Sequence, residues 1–145
     1  MHIRVAENEW ESLAKVLLER VSRNSTTHGG ATLVLLSGDV GAGKTTFVQT
    51  IARMLGVVQT LQSPTFVIMK QYPLVESIYS KLIHVDAYRL SKLSELEVLG
   101  FSALVENPEN LILLEWPECV LGIEFYPHIS VRIEHAEEGR EVTLG

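Results

Sequence analysis

The glycine-rich segment GDVGAGKT at residues 38–45 constrains the fold of this chain more than any other part of its sequence. It fits the pattern G-x-x-x-x-G-K-[ST], in which the N–H groups of a loop surround a phosphate. The apolar run TLVLL at residues 32–36 precedes it, and apolar residues at helical spacing follow it. We therefore predict a strand, a glycine-rich loop and a helix in that order, which is the structural context in which this pattern binds phosphate.

Each part of this segment has a predicted role at the phosphates of a nucleotide. Glycines adopt backbone angles that other residues resist, so several loop N–H groups can point at one anion, and the helix that follows adds its positive dipole end. We predict that Lys44 reaches the β and γ phosphates, that the Thr45 hydroxyl ligates Mg²⁺, and that Thr46 faces the α-phosphate. The backbone contacts are assigned to Gly38, Asp39, Val40, Gly41, Ala42 and Gly43. The sequence has no N-K-x-D signature of guanine binding, which favours ATP over GTP as the nucleotide that is bound with Mg²⁺.

Two acidic residues that follow apolar runs are candidates for the metal and hydrolysis chemistry. Asp86 ends the run LIHV, and Glu115 ends the run LILL. In an open α/β sheet the carboxyl ends of parallel strands lie at one edge, where ligands bind. A nucleotide-bound Mg²⁺ needs carboxylate support, and the attacking water needs an acceptor that orients it. We expect Thr45 and one of the two acids to hold the metal and the other acid to orient water, and either assignment fits the sequence.

Trp116 and Thr65 are further candidates for the same site. Trp116 follows Glu115 directly, where it is either an aromatic of the core or its rim, or a group that stacks on the base or gates the site. Thr65 lies in the turn SPTF at residues 63–66, between the predicted loop helix and the next strand. Many phosphate-loop proteins place there a threonine that senses the γ-phosphate and orders a switch. We therefore count Thr65 among the catalytic candidates and Trp116 among the nucleotide-binding ones.

The alternation of strand and helix patterns along the chain predicts an α/β fold. The apolar runs before Asp86 and Glu115 are typical of strands buried on both faces, as in a parallel sheet. Near the C-terminus, HISVRIEHA and REVTL alternate apolar and polar residues around EEGR, which indicates a hairpin. We predict a single P-loop nucleotide-binding domain over residues 1–145, with a mainly parallel central sheet, added antiparallel strands and helices on both faces.

Composition and charge restrict the classes of partner. The formal net charge is −6 and Lys and Arg do not cluster, so tight direct binding of nucleic acid is not expected. No apolar run approaches the roughly 18 residues of a membrane span, and the N-terminus lacks the pattern of a signal peptide. A single cysteine, Cys119, excludes an internal disulfide and a cysteine-cluster metal site. We expect a cytoplasmic protein that contacts no membrane.

Four segments of the sequence match one family when they are taken together. GDVGAGKTTF, SPTF, HVDAYRL and LLEWPE occur in that order, and they resemble the TsaE family, the small bacterial P-loop ATPases of tRNA threonylcarbamoyladenosine biosynthesis. The resemblance covers most of the chain, from the first predicted helix to LLEWPE. The sequence departs from the family pattern at Ala87, where a larger apolar residue is common, and in GFSAL, which lacks the acidic residues often found after that glycine.

The resemblance implies an activity, partners and site residues. Members of the family hydrolyse ATP slowly when alone and associate with a threonylcarbamoyl-transferase and its paralogous inactive partner, the TsaD and TsaB type proteins. That assembly modifies the adenosine next to the anticodon in tRNAs that read ANN codons, and the ATPase supports its turnover, so tRNA is reached through these partners. By motif, the family's site residues carry over to Lys44, Thr45, Thr65, Asp86, Glu115 and Trp116.

Two other functions use the same phosphate loop. A small-molecule kinase needs an arginine-bearing lid and an acceptor pocket that close over the phosphates, and the sequence shows no arginine-rich lid segment. A nucleotide-dependent binding module with negligible turnover needs the loop without an acid that orients water. The combined motifs, with the resemblance that they carry, favour a partner-activated ATPase over both alternatives.

Overall fold

One mixed sheet forms the centre of the computed structural model, which describes residues 1–6, 8–24, 29–57 and 68–145. The seven strands of these residues are His2–Val5 (β1), Thr32–Ser37 (β2), Met69–Pro73 (β3), Lys81–Asp86 (β4), Asn110–Glu115 (β5), Ile129–His135 (β6) and Arg140–Leu144 (β7). Their order across the sheet is β1-β7-β6-β2-β5-β4-β3. The central strands β6, β2, β5 and β4 are parallel, whereas β7 is antiparallel to both of its neighbours and β3 is antiparallel to β4. The predicted sheet and C-terminal hairpin are confirmed.

The α-helices of the described residues are Trp10–Asn24 (α1), Lys44–Met54 (α2), Ser94–Val98 (α3) and Phe101–Glu106 (α4). Short 3₁₀ turns at Pro117–Cys119 and Ile123–Phe125 follow β5. The helix pattern around residues 94–106 is divided in two because Gly100 takes a φ of 86°, which ends α3 and begins α4. None of these helices has the length and apolar character needed to cross a bilayer.

The two faces of the sheet are covered by different helices. On one face, Ile51 of α2 lies in a buried cluster with Val34 of β2 and with residues of α1. On the other face, Phe101 of α4 lies in a second cluster with Leu33 of β2. The apolar side chains of β2 are therefore buried on both faces, as the run TLVLL predicts for a strand between two helical layers. The predicted α/β class with helices on both faces is confirmed.

The register of the parallel strands places the two candidate acids next to each other at the same edge of the sheet. Glu115 at the end of β5 is opposite Leu36 of β2 on one side and Asp86 of β4 on the other. The glycine-rich loop leaves the same edge of the sheet, because it joins β2 to α2. This edge is the carboxyl edge, where open α/β sheets place their ligands.

Candidate active site

A cavity of about 370 Å³ lies at the carboxyl edge of the sheet. Its lining comes from the glycine-rich loop, from the start of α2 and from the ends of β4 and β5: Asp39, Val40, Gly41, Gly43, Lys44, Thr45, Thr46, Asp86, Tyr88, Glu115 and Trp116. Gly38 and Ala42 belong to the loop but do not line the cavity, and Thr65 lies outside the described residues. The structure therefore brings the other sequence-predicted site residues together, and it adds Tyr88 to them.

The glycine-rich loop is held so closely that two of its glycines have no room for a side chain. Gly38 has a φ of 140°, and a Cβ there would overlap the carbonyl oxygen of Ile133 on β6. Gly43 has a φ of 110°, and a Cβ there would lie 2.6 Å from atoms of the Trp10 ring. Both positions therefore require glycine for their backbone angle and for the close approach of a neighbour.

Lys44 lies between the loop backbone and an aromatic ring. Its Nζ donates hydrogen bonds to the carbonyl oxygens of Gly38 and, at 3.2 Å, of Asp39. The same atom lies 3.7 Å from the centroid of the Trp116 ring, a cation–π contact. Burial lowers the pKa of Lys44, and nearby carboxylates, of which Glu115 is the strongest, oppose that shift. Only 5% of Lys44 is exposed, and this small part lies in the wall of the cavity.

Glu115 is the centre of a buried cluster of polar side chains beneath helix α2. The hydroxyl of Thr45 donates to its Oε1 at 3.1 Å. Its other oxygen, Oε2, lies 2.6 Å from Nε2 of His84 on β4. Because Glu115 and His84 are each only 2% exposed, this carboxylate is fixed in direction by its two partners.

The oxygen atoms at this edge have the chemistry of magnesium ligands. Thr45, Asp86 and Glu115 supply the hydroxyl and carboxylate oxygens that Mg²⁺ prefers. One oxygen of Asp86 also accepts the N–H of Tyr88 at 3.1 Å. Over the described part of the chain, no group of at least three His, Cys, Asp or Glu side chains could hold a metal ion. A Mg²⁺ held by these oxygens would take phosphate and water oxygens as its other ligands, as nucleotide-bound Mg²⁺ does.

Trp116 occupies a backbone conformation that non-glycine residues rarely adopt. Its φ is 62° and its ψ is 53°, in the left-handed region, and no other non-glycine residue of the described ranges has a positive φ. Its N–H donates to the carbonyl oxygen of Leu36, and its ring lies 5.0 Å from the ring of Tyr88. Such strain costs about 1–3 kcal/mol and persists where the surroundings hold it. The strained turn places the ring in the cavity wall, where it also packs against the buried cluster that contains Phe101.

Three residues that the site prediction did not include contact the loop or Glu115 without lining the cavity. Trp10 of α1 packs against Gly43, Arg140 of β7 donates to loop carbonyl oxygens, and His84 contacts Glu115. The sequence pattern marks Trp10 as one of the core residues of an amphipathic helix and His84 as a residue inside a strand. Their contacts with the site depend on how distant segments pack, which no local pattern encodes.

The comparisons with known proteins show which family the chain belongs to. The family model described as "Threonylcarbamoyl adenosine biosynthesis protein TsaE" matches residues 5–142. The chain belongs to the TsaE family. This membership confirms the resemblance carried by the four segments, and the TsaE family takes part in tRNA threonylcarbamoyladenosine biosynthesis.

Curated TsaE proteins from distant bacteria are similar over most of the chain. The protein from Rickettsia conorii is 33% identical over 143 residues, which are 98% of this chain and 75% of the relative. The protein from Streptomyces coelicolor is 39% identical over 118 aligned residues, and the match covers 77% of this chain and 78% of the relative. The crystal structure of Bacillus subtilis YdiB matches with a TM-score of 0.66 and 26% identity, over 99% of this chain and 83% of that one.

Proposed function

We propose that this TsaE family member is a Mg²⁺-dependent ATPase that acts in the formation of threonylcarbamoyladenosine in tRNA. The observation that carries the proposal is the convergence of Lys44, Thr45 and Glu115 on one cavity beside a glycine-rich loop. Lys44 supplies the charge for the β and γ phosphates, and the loop N–H groups supply a nest for their oxygens. The family name supports the place of the activity in tRNA modification.

The geometry suggests how the two acids divide the metal and hydrolysis roles. Glu115 accepts a hydrogen bond from Thr45, the residue that holds the metal in phosphate-loop proteins, so we assign Glu115 and Thr45 to the metal. Asp86 lies at the same level on the neighbouring strand, and we assign it to orienting the attacking water. Bound Mg²⁺ would neutralise charge on the β and γ phosphates. We assign Thr65 to the switch on the resemblance alone, since it lies outside the described residues.

The position of Trp116 favours a gate over a surface for base stacking. Its ring lies over Nζ of Lys44, which is the group expected at the β and γ phosphates. A base lies at the other end of a nucleotide from these phosphates. We therefore propose that Trp116 covers the phosphate end of the cavity and moves from Lys44 when phosphates bind, with Tyr88 as its neighbour.

The partners follow from the family and from the surface beside the cavity. Val40 and Tyr88 line the cavity and are also 74% and 57% exposed, which leaves apolar surface at its rim. We propose that this rim contacts the transferase subunit and its inactive paralogue, the TsaD and TsaB type proteins. The net charge of −6 supports indirect contact with tRNA through these proteins.

Product analysis tests the proposed activity. The purified chain is incubated with ATP and Mg²⁺ and no second substrate, and ADP and free phosphate are quantified by chromatography. We expect equal amounts of both products, and we expect chelation of Mg²⁺ to stop their formation. A phosphorylated metabolite formed in place of free phosphate would indicate a kinase, and the absence of turnover with retained binding would indicate a nucleotide-dependent binding module.

A further inference from the structure

The guanidinium of Arg140, at the start of β7, contacts the phosphate loop without lining the cavity. Its Nε donates to the carbonyl oxygen of Ala42 at 2.9 Å, and its Nη2 is 3.5 Å from the carbonyl oxygen of Gly41. Its Nη1 donates to the carbonyl oxygen of Gly139 at 2.9 Å, in its own hairpin. Arg140 therefore ties the C-terminal hairpin to two successive carbonyl groups of the loop.

This contact restrains the peptide unit whose N–H belongs to Gly43, a residue that lines the cavity. A trans peptide unit is planar, and its C=O and N–H point in opposite directions. The carbonyl of Ala42 belongs to the same peptide unit as the N–H of Gly43, and Gly43 lines the cavity whereas Ala42 does not. A donor that holds the Ala42 carbonyl from behind therefore aims the Gly43 N–H away from Arg140.

We propose that Arg140 is a positioning residue that orients the Gly43 N–H toward a bound phosphate group. The inference deepens the proposed function and rests on its phosphate-binding part. Glycine at this position has no side chain to define its backbone angles, and the φ of 110° must be imposed by neighbours. Trp10 supports Gly43 through its ring, and Arg140 supports the preceding carbonyl. The positive charge of Arg140 also adds to the attraction of the loop for anions.

The hairpin that carries Arg140 is fixed to the strand that carries the loop. Strand β6 pairs with β2 in parallel, up to Ser37 opposite Arg132, directly before the loop. Gly139 has a φ of 75°, and a Cβ there would overlap the carbonyl oxygen of Val5 on β1. Arg140 therefore follows a hairpin turn that packs against β1. Its strand belongs to the same sheet as β2, the strand that leads into the glycine-rich loop.

Binding of phosphate ligands tests the proposal. Affinities for ADP with Mg²⁺ and for pyrophosphate are measured by calorimetry for the wild type, Arg140→Ala and Arg140→Lys. The matched control is Arg132→Ala, an exposed arginine of the neighbouring strand that pairs with Glu134. We expect Arg140→Ala to weaken both ligands by a similar factor of about tenfold, as for the loss of a hydrogen bond from a charged donor. The affinity of Arg140→Lys is expected to lie between those of the wild type and Arg140→Ala, because lysine keeps the charge but not the planar fork.

Guanidinium at millimolar concentration is expected to restore part of the affinity of Arg140→Ala, whereas sodium chloride at the same ionic strength does not.

A second measurement needs no nucleotide. The Gly43 amide signal in a ¹H–¹⁵N spectrum is expected to shift or broaden in Arg140→Ala and to stay in place in Arg132→Ala. A folded Arg140→Ala that binds both ligands as the wild type does, with an unchanged Gly43 signal, would overturn the proposal. If Arg140→Ala does not fold, wild-type affinity in Arg140→Lys overturns it and weakened affinity supports it. Failure of the wild type to hydrolyse ATP contradicts the ATPase without affecting these binding ratios. A wild type that binds neither ligand overturns the phosphate-binding part of the proposed function and this inference with it.

Discussion

Nε2 of His84 lies 2.6 Å from Oε2 of Glu115, and both side chains are buried between the sheet and the loop helix. The other carboxylate oxygen of Glu115 accepts the Thr45 hydroxyl. Partners of this kind hold a metal-binding or catalytic carboxylate in one orientation, and their loss reduces activity without removing the site. His84 therefore acts through Glu115 and does not itself line the cavity.

Substitution of His84 is expected to reduce turnover more than binding. His84→Ala should lower kcat for ATP hydrolysis by about 10- to 100-fold, the range found for residues that orient a ligand of the metal. The Kd for ADP should change little, because Lys44 and the loop remain in place. His84→Gln, which offers an amide nitrogen to Glu115, should recover part of kcat.

Steady-state kinetics and calorimetry on the same protein preparations check this split. His2→Ala is the control, because His2 is an exposed histidine of β1 that bonds Thr143 far from the cavity. An unchanged kcat in a folded His84→Ala would show that Glu115 does not depend on His84 for its orientation.

Substitutions at Lys44 and Glu115 are expected to affect different steps, the first ATP binding and the second ATP hydrolysis. Lys44→Ala removes the buried ammonium at the cavity wall and should weaken ATP binding by about 100-fold, as for the loss of a strong charged contact. Glu115→Gln keeps the size of the side chain but removes the charge that we assign to the metal, so it should lower turnover by about 100-fold or more while much of the binding remains. Fluorescent-nucleotide titration and phosphate release on each variant measure the two effects. Normal turnover in Glu115→Gln would contradict the assignment of this acid.

The contact between Lys44 and Trp116 predicts an optical signal for nucleotide binding. The ammonium lies 3.7 Å from the centroid of the ring, so its movement to a phosphate changes the field around the indole. Tryptophan emission should change when ADP and Mg²⁺ are added, and the change should be absent in Trp116→Phe. Trp10, which packs against Gly43 and Phe47, stays in both proteins, so Trp116→Phe reports the emission of Trp10 alone. The same emission change in Trp116→Phe would show that the signal comes from Trp10.

A buried hydroxyl pair predicts how stability depends on alkaline pH. The Tyr79 hydroxyl lies 2.7 Å from Oγ1 of Thr32 on β2, and both residues are buried. Burial raises the pKa of Tyr79 above its ordinary value, and the bond to Thr32 opposes that shift. The unfolded chain therefore loses this proton at about pH 10 while the folded protein keeps it, so stability falls as pH rises above that point.

Chemical denaturation at several pH values tests this linkage. Tyr79→Phe should cost about 1–2 kcal/mol at neutral pH, because the Thr32 hydroxyl loses a buried partner. Above about pH 10 the variant should lose stability less steeply than the wild type. Burial also raises the pKa of Tyr72, so part of the alkaline loss should remain in the variant. Parallel stability curves for the two proteins would contradict the raised pKa of Tyr79.

The strand, loop and helix around Lys44 were predictable because each is encoded by local spacing. The apolar run of β2, the glycines at positions of positive φ and the apolar stripe of α2 lie in one continuous stretch. The convergence of Asp86 and Glu115 was also predictable, since parallel strands end at one edge. The α/β class of the sheet follows from the same local patterns, whereas the order of its strands was not predicted.

The contacts that hold the loop and Glu115 in place were not predictable, because they join segments that are far apart in the chain. Arg140 and Ala42 are separated by 98 positions, and His84 and Glu115 by 31. In the sequence Arg140 reads as the first residue of a hairpin strand, and no pattern connects it with the loop. The left-handed conformation of Trp116 was equally hidden, because it depends on the turn between β5 and the 3₁₀ segment. The predicted switch residue, Thr65, lies outside the described residues and stays a prediction.

The most direct test of the whole account is the rate of ATP hydrolysis by this chain with and without its proposed partners. Phosphate release is measured for the chain alone, for the chain with the transferase subunit and its inactive paralogue, and for Glu115→Gln under the same conditions. The account predicts slow release alone, faster release with both partners, and little release from the variant in either case. A wild-type rate that the partners leave unchanged, with no complex detected by size-exclusion chromatography, would contradict it.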